Sequence, residues 1–321
     1  MNPTNLLVSS ICLLTLAGTA SRSLACDCCA IYSATEAQGE SVVGLFAGLA
    51  EQYTHFGSTR VNGQEVPNIA DQHLDSFVTQ AVVGYNFTPR FTLQANIPYI
   101  YRSYQRPEGF LTDKGTEEGL GDASLIGKFL ILREDKTDFT FTWNALAGVK
   151  LPTGSAARIK EEFSEISVPG APDSGIHGHD LALGSGSFDG VFGSSVYLRY
   201  QRVFATASIQ YALRGEGDYH YRYANEVSWE AGAGAYLLLT HDCTLALQAV
   251  VSCEDKQTDT FLGAPADDTA MHAIYIGPKL VGTYKDKLSA DLGVDLPVRL
   301  DNSSFQSVPD FRIRAGVTWR F

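Results

Sequence analysis

The last eleven residues of the chain alternate strictly between two kinds of side chain. From Phe311 to Phe321, every odd-numbered residue is apolar and every even-numbered residue is polar or glycine. This period of two is typical of a β-strand that has one face in an apolar environment. The segment from Leu288 to Val298 shows the same pattern. We therefore expect an all-β protein whose antiparallel strands each have one polar and one apolar side.

The alternation predicts twelve strands, and the connections between them vary regularly in length. Connections after even-numbered strands have two to four residues, whereas those after odd-numbered strands are long, and the longest runs from Pro152 to Gly186. Short turns on one side and long loops on the other are typical of a transmembrane barrel, and closure leaves no strand edge in lipid. We predict a closed antiparallel β-barrel over residues 42–321, with strands at about 42–53, 74–87, 91–103, 120–133, 138–151, 187–200, 203–214, 226–239, 243–253, 270–284, 287–299 and 308–321.

The N-terminal residues are typical of a secretory signal. An apolar run from Leu6 to Ala20 is followed by Ser23-Leu24-Ala25, which predicts a signal peptide over residues 1–25. A short periplasmic segment with several cysteines, residues 26–41, would then precede the barrel. The formal net charge of −12 disfavours nucleic acid as a partner. An exported barrel indicates the bacterial outer membrane, with lipid as its surroundings.

Aromatic residues lie near the predicted ends of the strands. Membrane barrels place such residues in two girdles, one at each interface between lipid and water. Any single one of these side chains would also suit a protein core, so the evidence is their joint pattern. The residues concerned are Tyr53, Phe87, Phe91, Tyr101, Tyr200, Tyr284, Trp319 and Phe321.

Three short motifs carry a resemblance to a known family. The terminal Trp319-Arg320-Phe321 resembles the C-terminal signal by which the barrel-assembly machinery recognises outer-membrane barrels. Gly119-Leu120-Gly121-Asp122 and Leu151-Pro152-Thr153-Gly154 together resemble the family named for the MetA pathway of phenol degradation. That resemblance implies an outer-membrane barrel that passes small, often aromatic or hydrophobic, compounds. For Asp122 we favour a local role in a sharp turn over a role in ligand binding.

Charged residues on the strands are predicted to face the lumen. Opposed charges across a pore hold water and orient polar solutes. Alternatively, because a twelve-stranded barrel is narrow, these charges could pair into a filled, non-conducting interior. The predicted pore-lining residues are Arg102, Lys128, Lys150, Asp189, Arg199, Arg214, Glu230, Lys279, Asp291, Asp295, Arg299, Asp310, Arg312 and Arg314, with Arg320 at the chain terminus.

The cysteines suggest a speculative site for a soft metal ion such as copper or zinc. Thiolates and imidazoles are the ligands that these ions prefer. The turn before the ninth strand lies on the same side of the barrel as the mature N-terminus, so its residues could share ligands with the N-terminal cysteines. Disulfides or plain thiols are the favoured alternative, and lipidation of Cys26 is a third. The predicted ligands are Cys26, Cys28, Cys29, His241 and Cys243.

The remaining polar residues give little indication of catalysis. His177 and His179 lie in the longest loop, where a solvated loop is favoured over metal binding. Ser194 and His272 are predicted to face outward, but on strands that are far apart in order. No Gly-x-Ser-x-Gly motif is present in the sequence. We therefore expect a pore or channel for passive passage of a small solute and no enzyme. The alternative is a non-conducting barrel that binds or anchors and has a Cys-rich metal or redox site.

Overall fold

Twelve long strands form the wall of the protein. The computed structural model describes residues 43–164, 168–285 and 287–321, so the predicted signal peptide and the segment 26–41 lie outside the described residues. The strands are β1 Gly44–Val61, β2 His73–Thr88, β3 Phe91–Glu108, β4 Ser124–Lys136, β5 Phe139–Lys150, β6 Asp189–Tyr200, β7 Val203–Leu213, β8 Glu226–Leu239, β9 Cys243–Lys256, β10 Met271–Tyr284, β11 Leu288–Asn302 and β12 Phe305–Arg320.

Each strand pairs with the next in the chain, and the last pairs with the first. β1 and β12 are antiparallel from Phe46 opposite Arg320 to Val61 opposite Phe305. This pairing closes the sheet into a barrel, which satisfies the backbone groups that an open edge would expose. The predicted closed antiparallel twelve-stranded barrel is therefore confirmed.

One end of the barrel has only short turns, and we call it the short-turn end. These turns connect β2 to β3, β4 to β5, β6 to β7, β8 to β9 and β10 to β11, as predicted. At the opposite, long-loop end several strands run further than expected: β1 extends to Val61 and β3 to Glu108. The predicted long connection between β11 and β12 is wrong, because both strands continue until only Ser303 and Ser304 separate them.

Smaller elements lie at the long-loop end. Short strands at Gln64–Val66 and Leu111–Leu120 pair with the extended ends of β1 and β3, and a separate small sheet contains Tyr221–Arg222, Thr260–Phe261 and Ala264–Pro265. Helical turns occur at Ala157–Phe163, Gly178–Leu181 and Asp218–His220. Within the described ranges, no helix is both long and apolar enough to cross a membrane.

The outer surface of the wall is apolar and the inner surface is largely polar. On β1, for example, the outward Leu49 is 49% exposed, whereas its inward neighbours Ala50 and Gln52 are buried. Of the predicted aromatic girdle, Phe87, Trp319 and Phe321 are exposed near the short-turn end. Tyr53 stacks on Phe77 higher up the wall, with 4.5 Å between ring centroids. An apolar outer band between aromatic residues matches the hydrocarbon layer of a bilayer.

Candidate functional site

The lumen is the candidate functional site, because most of the charged strand residues point into it. Arg102, Lys150 and Arg312 are at most 5% exposed although each carries a full charge. Charged side chains are buried in this way only when they are paired or hydrogen-bonded. The lumen therefore contains networks of ion pairs, which lie at three levels.

Two of the predicted pore-lining residues do not face the lumen. Arg299 is exposed and pairs with Asp301 on the outer surface, because a β-bulge beside Val298 reverses the alternation of β11. Asp310 lies at a second bulge, where β1 and β12 change register. Its carboxylate is 3.8 Å from the ring of His55, which points outward between the buried Thr54 and Phe56. A bulge adds one residue to a strand, and so turns the following side chains to the other face.

The two glycine-rich sequence motifs meet at the long-loop end of the lumen, and Asp122 joins them. Its Oδ2 accepts hydrogen bonds from the Lys150 ammonium at 2.7 Å and from the Ser185 amide at 2.9 Å. Its Oδ1 accepts one from the amide of Gly154. A Cβ at Gly154 would lie 2.6 Å from the carbonyl oxygen of Leu183, so the close approach requires glycine.

The role predicted for Asp122, in a local turn, is therefore too limited. The residue connects β4, β5 and the long loop, which come together only in the folded barrel. In the sequence, the spacing of the two motifs was the feature that indicated a contact between them. It did not indicate that Ser185, which lies in a third glycine-rich stretch, would complete the group.

The ion network continues from Asp122 around the wall. Lys150 also contacts Asp189 at 2.7 Å, and Arg214 bridges Asp189 and Glu226, at 3.0 Å from each. Charges of alternating sign thus follow one another across β5, β6, β7 and β8. The structure brings together three of the predicted pore-lining residues here. It adds Asp122, for which the sequence analysis predicted only a local turn role, and Glu226, which the sequence analysis missed.

The long loop between β5 and β6 folds into the barrel and packs against the inner wall. Arg102, on β3, donates a hydrogen bond to the carbonyl oxygen of Ala182 at 2.6 Å. Next to it, Leu183 packs against the inward-facing Val78 and Ile100. Ile176 and Leu181 pack in the same way on Phe56, Leu74 and Tyr104. The loop therefore narrows the lumen from the long-loop end.

His179 lies inside this loop, so the favoured prediction of a solvated position is wrong for it. The side chain is 4% exposed, and its Nδ1 is 2.9 Å from Glu162 Oε1. The negative charges of Asp180 and Glu162 raise the pKa of His179 to about 10, although burial opposes the shift. Conversely, the charge of His179 lowers the pKa of Glu162 to about 2. Since both groups are ionised at neutral pH, they form a salt bridge within the loop. His177 stacks on His179 and is 3.4 Å from Asp268.

A second group of ion pairs lies in the middle of the lumen. Glu230, on β8, accepts from Arg314 at 2.7 Å and from Lys279 at 3.3 Å. Arg314 also pairs with Asp295 at 2.7 Å. All four are predicted pore-lining residues, and the structure brings them together.

The third group is the ion pair of Arg312, on β12, which joins two strands that are not neighbours in the sheet. Arg312 binds Glu254 through both terminal nitrogens, at 2.6 and 2.9 Å, and lies over the ring of Tyr275 at 4.6 Å. Bidentate pairing of this kind fixes both position and orientation. The ninth strand was predicted to end at residue 253, whereas in the structure β9 continues to Lys256 and so includes Glu254.

Neutral amides line the inner face of the strands next to β12, where Gln52 is the direct cross-strand partner of Arg314. Gln52 on β1, Gln80 on β2, and Gln94 and Asn96 on β3 face the lumen, and each is between 2% and 5% exposed. Gln94 donates to Asn96 at 3.0 Å, and Asn96 donates to Ser124 at 3.3 Å. The sequence analysis considered only charged residues and missed this strip, although the amides occupy the inward positions of the alternation.

The other predicted lumen residues are partly exposed and lie nearer the short-turn end. Arg199 donates to Thr140 at 3.0 Å. Lys128 faces Leu146 across the pair of β4 and β5, and Asp291 is opposite Gly316. Arg320 is the last residue of β12.

The predicted metal ligands are only partly covered by the structure. Cys26, Cys28 and Cys29 lie outside the described residues, so the shared site stays a prediction. His241 is in the turn between β8 and β9, where it is fully in solvent and 3.1 Å from Asp242. Among the described residues, Cys243 and Cys253 form no disulfide. In the part of the chain that the structure describes, no three His, Cys, Asp or Glu residues are grouped to hold a metal ion.

The two outward residues considered for catalysis have other neighbours. Ser194, on β6, accepts a hydrogen bond from Trp143 at 2.9 Å. His272, on β10, lies 3.9 Å from the Cys253 sulfur and 3.9 Å from Asp255. The two residues are therefore on separate parts of the outer wall, as predicted.

Comparison with known proteins supports the fold. No family model and no curated protein sequence matches the chain, so the resemblance to the MetA-pathway family stays a prediction. Among solved structures, the chain is similar to an outer membrane channel from Pseudomonas putida F1, with a TM-score of 0.60, 14% identity, and coverage of 90% of this chain and 100% of that one.

Two autotransporter domains are less similar. The Bordetella BrkA β domain has a TM-score of 0.46 and 8% identity, over 87% of this chain and 100% of that one. The NalP translocator domain from Neisseria meningitidis has a TM-score of 0.41 and 12% identity, over 87% and 89% respectively. A closed barrel with an apolar outer wall is the architecture of outer-membrane proteins, and this chain is an outer-membrane β-barrel.

Proposed function

We propose that the protein is a pore for passive passage of a small solute across the outer membrane. The observation that supports this proposal is the contrast between the two faces of the wall: outward residues such as Leu49 are apolar, whereas Gln52, Gln80, Arg312 and Glu230 point inward. A polar interior provides a path for water and solutes.

The inserted loop fits the same function. It is fastened to the wall at Arg102 and Asp122, and so it narrows the lumen at one end. A fixed constriction limits the size of the solutes that pass. The aromatic or hydrophobic compounds implied by the family resemblance are one class of solute to test.

Conductance of the purified protein in planar bilayers tests the proposal. We expect discrete, stable current steps in KCl. A protein that inserts fully, as shown by its resistance to proteolysis in the bilayer, but carries no current would contradict the proposed pore.

The terminal Trp319-Arg320-Phe321 is proposed to bind the barrel-assembly machinery. Removal of Phe321 should therefore reduce insertion in cells without changing the current of refolded protein.

The second candidate is a non-conducting barrel that binds or anchors. The observation that favours it is the ion pair between Arg314 and Glu230, which bridges strands that are not adjacent. In this proposal the N-terminal cysteines, with His241 and Cys243, hold a soft metal or form a redox site at the short-turn end. Absence of current, together with stoichiometric zinc or copper binding that is lost in Cys243→Ser, would support it.

A further inference from the structure

The inner face of the barrel is filled on one side. Strands β1, β2, β10 and β12 contribute long or bulky inward side chains, which pack closely in the middle of the barrel. A close-packed interior leaves few voids that are large enough for a water molecule, so little room for a solute remains on this side. Examples of these side chains, each at most 5% exposed, are Phe46, Gln80, Tyr275 and Arg312.

On the other side of the barrel, strands β6–β8 carry small inward residues. Five of these residues have no side chain larger than that of serine, and all five are partly exposed. Because the inner face of a closed barrel cannot contact lipid, their exposed area belongs to the lumen. The residues are Gly193, Ser195, Ser208, Gly232 and Gly234.

Ser208 is at the centre of this open face. It lies directly opposite Ser195 on β6 and Glu230 on β8, and Ser195 lies opposite Asn144 on β5. Directly opposed residues of neighbouring strands point to the same face of the sheet. Because Glu230 points into the lumen, the two serines and Asn144 form one polar row across the open face.

An ion pair separates the filled side from the open side. Arg314, on β12, binds Glu230, on β8, at 2.7 Å. Arg312, also on β12, binds Glu254 on β9 at 2.6 Å. These two contacts close off the inner face of β9–β11. The space that remains lies between the ion pair and the small residues of β5–β8, with Ser208 next to Glu230.

On the assumption that the protein is a pore as proposed above, we propose that the solute path runs along the inner face of β5–β8, and that Ser195 and Ser208 determine the size of the solute that passes. Each of these side chains ends in a single hydroxyl group, so a larger side chain at either position would project into the path. Neither serine is among the predicted pore-lining residues, because the sequence analysis considered only charged residues.

Cysteine substitution locates the path. Ser208→Cys places a thiol in the proposed path, whereas Thr54→Cys places one on the opposite wall, on β1, where the side chain is buried. Both changes are nearly isosteric, so both variants should fold. We expect a bulky cationic methanethiosulfonate reagent to lower the K⁺ current of Ser208→Cys at least about twofold, because the attached group obstructs the path. The current of Thr54→Cys should not change.

The unmodified protein, treated in the same way, is the control for the native cysteines, and all losses of current are measured relative to it. Ser195→Cys is a second variant on the same face and should respond as Ser208→Cys does. If both serine variants conduct K⁺ and keep their full current after treatment, the inference is overturned. An equal loss of current in Thr54→Cys would overturn it as well.

Larger side chains at the two serines test the size limit. In Ser195→Phe/Ser208→Phe we expect loss of proteoliposome swelling in the largest polyol that enters through the unmodified protein. The matched control is Ala205→Phe, on the exposed outer face of β7, which should admit the same polyol. A double variant that inserts but carries no K⁺ current would show the same obstruction in a stronger form. A double variant that conducts K⁺ and still admits the largest polyol would contradict the assignment.

The pore and its path fail in different ways. If the unmodified protein conducts K⁺ but the serine variants behave like Thr54→Cys, the pore stands and the path lies elsewhere in the lumen. If the inserted unmodified protein carries no K⁺ current, the proposed function is itself wrong, and the inference about the path falls with it.

Discussion

Arg314 donates to Glu230 at 2.7 Å although three strands separate the two residues in the sheet. Neighbouring strands are about 4.8 Å apart, so side chains on β12 and β8 can meet only across the interior of the barrel. The same Arg314 is held from the adjacent strand by Asp295. The middle of the lumen is therefore bridged by charged groups, and any solute path runs beside this bridge.

Neutralising the lumen cations should change the ion preference. The triple variant Lys279→Gln/Arg312→Gln/Arg314→Gln leaves Glu230, Glu254 and Asp295 without their contacts. We expect selectivity to shift toward cations, because three negative charges would then face the path. The measurement is the reversal potential across a bilayer with a KCl gradient.

The control for this experiment is Arg299→Gln, which removes one positive charge from the exposed outer surface and should leave the reversal potential unchanged. If the triple variant retains both the selectivity and the conductance of the unmodified protein, the cations lie in a filled interior away from the conducting path.

Removing Lys150 should release the inserted loop. Lys150→Met leaves the carboxylates of Asp122 and Asp189 buried without their shared cation, and breaking a buried pair of this kind costs about 3–5 kcal/mol. We expect a lower unfolding temperature in detergent and a larger, noisier current. Lys136→Met is the control: its pair with Glu134 is exposed, and it should cost less than about 1 kcal/mol. Equal stability of the two variants would show that the network does not hold the loop.

The strands and the short turns could be predicted from the sequence because they depend on local alternation. A residue such as Leu49 faces lipid and Ala50 faces the lumen, and each contributes to a signal that repeats every two residues. The signal fails where a bulge interrupts it, and for that reason Arg299 and Asp310 were placed on the wrong face. A bulge depends on how two strands pair, and a single strand does not show it.

The inserted loop could not be predicted, because its contacts join distant parts of the chain. Ala182 binds Arg102, and Ser185 binds Asp122. None of these pairs has a periodic signal in the sequence. Asp122 and Gly154 were correctly singled out as parts of one pattern, but their shared contact is formed only when β4 and β5 lie side by side.

The salt bridge between Glu162 and His179 should make loop stability depend on pH in both directions. The low pKa of Glu162 stabilises the fold above its ordinary pKa of 4.5, and this contribution is lost as pH falls through about 2. The high pKa of His179 stabilises the fold below its ordinary pKa of 6.5, and this contribution is lost as pH rises through about 10. Both contributions to stability are fully present only between pH 4.5 and pH 6.5, the ordinary pKa values of the two groups.

We therefore expect Glu162→Gln to cost most at about pH 5 to 6 and progressively less toward pH 10. The measurement is the rate of protease cleavage within the loop as a function of pH, compared with the unmodified protein. Glu216→Gln, which affects an exposed pair with His220, is the control and should show little dependence. A cost for Glu162→Gln that stays constant up to pH 10 would contradict this assignment.

A charge on the outer wall should impair insertion. Leu49 lies on the lipid-facing side of β1, below the stacked rings of Tyr53 and Phe77. Leu49→Arg should cost about 2–4 kcal/mol of folding free energy in liposomes, because arginine near the bilayer midplane loses its hydration. Leu111→Arg, at an exposed position of the long-loop end, is the matched control and should fold normally. Equal folding of both variants would mean that Leu49 does not face lipid.

The two described cysteines should differ in their reaction with an alkylating reagent. Cys253 is 2% exposed, whereas Cys243 is half-buried beside a turn at the short-turn end. Alkylation requires access of the reagent to the sulfur. In the folded protein we expect Cys243 to react and Cys253 to react only after unfolding, as measured by intact-protein mass spectrometry with peptide mapping. Rapid modification of Cys253 in the folded barrel would contradict its burial between β8 and β10.

The reactivity of Cys243 also separates the proposals for the cysteine-rich segment. If Cys243 shares a metal ion with Cys26, Cys28 or Cys29, it should resist alkylation until a chelator is added, because a metal-bound thiolate is a poor nucleophile toward the reagent. If it forms a disulfide with one of them, only a reductant should restore the reaction. The control is Cys243→Ser, in which neither treatment should change the labelling of Cys253. Full alkylation of Cys243 in the untreated mature protein would exclude both arrangements, and the N-terminal cysteines would then act without it.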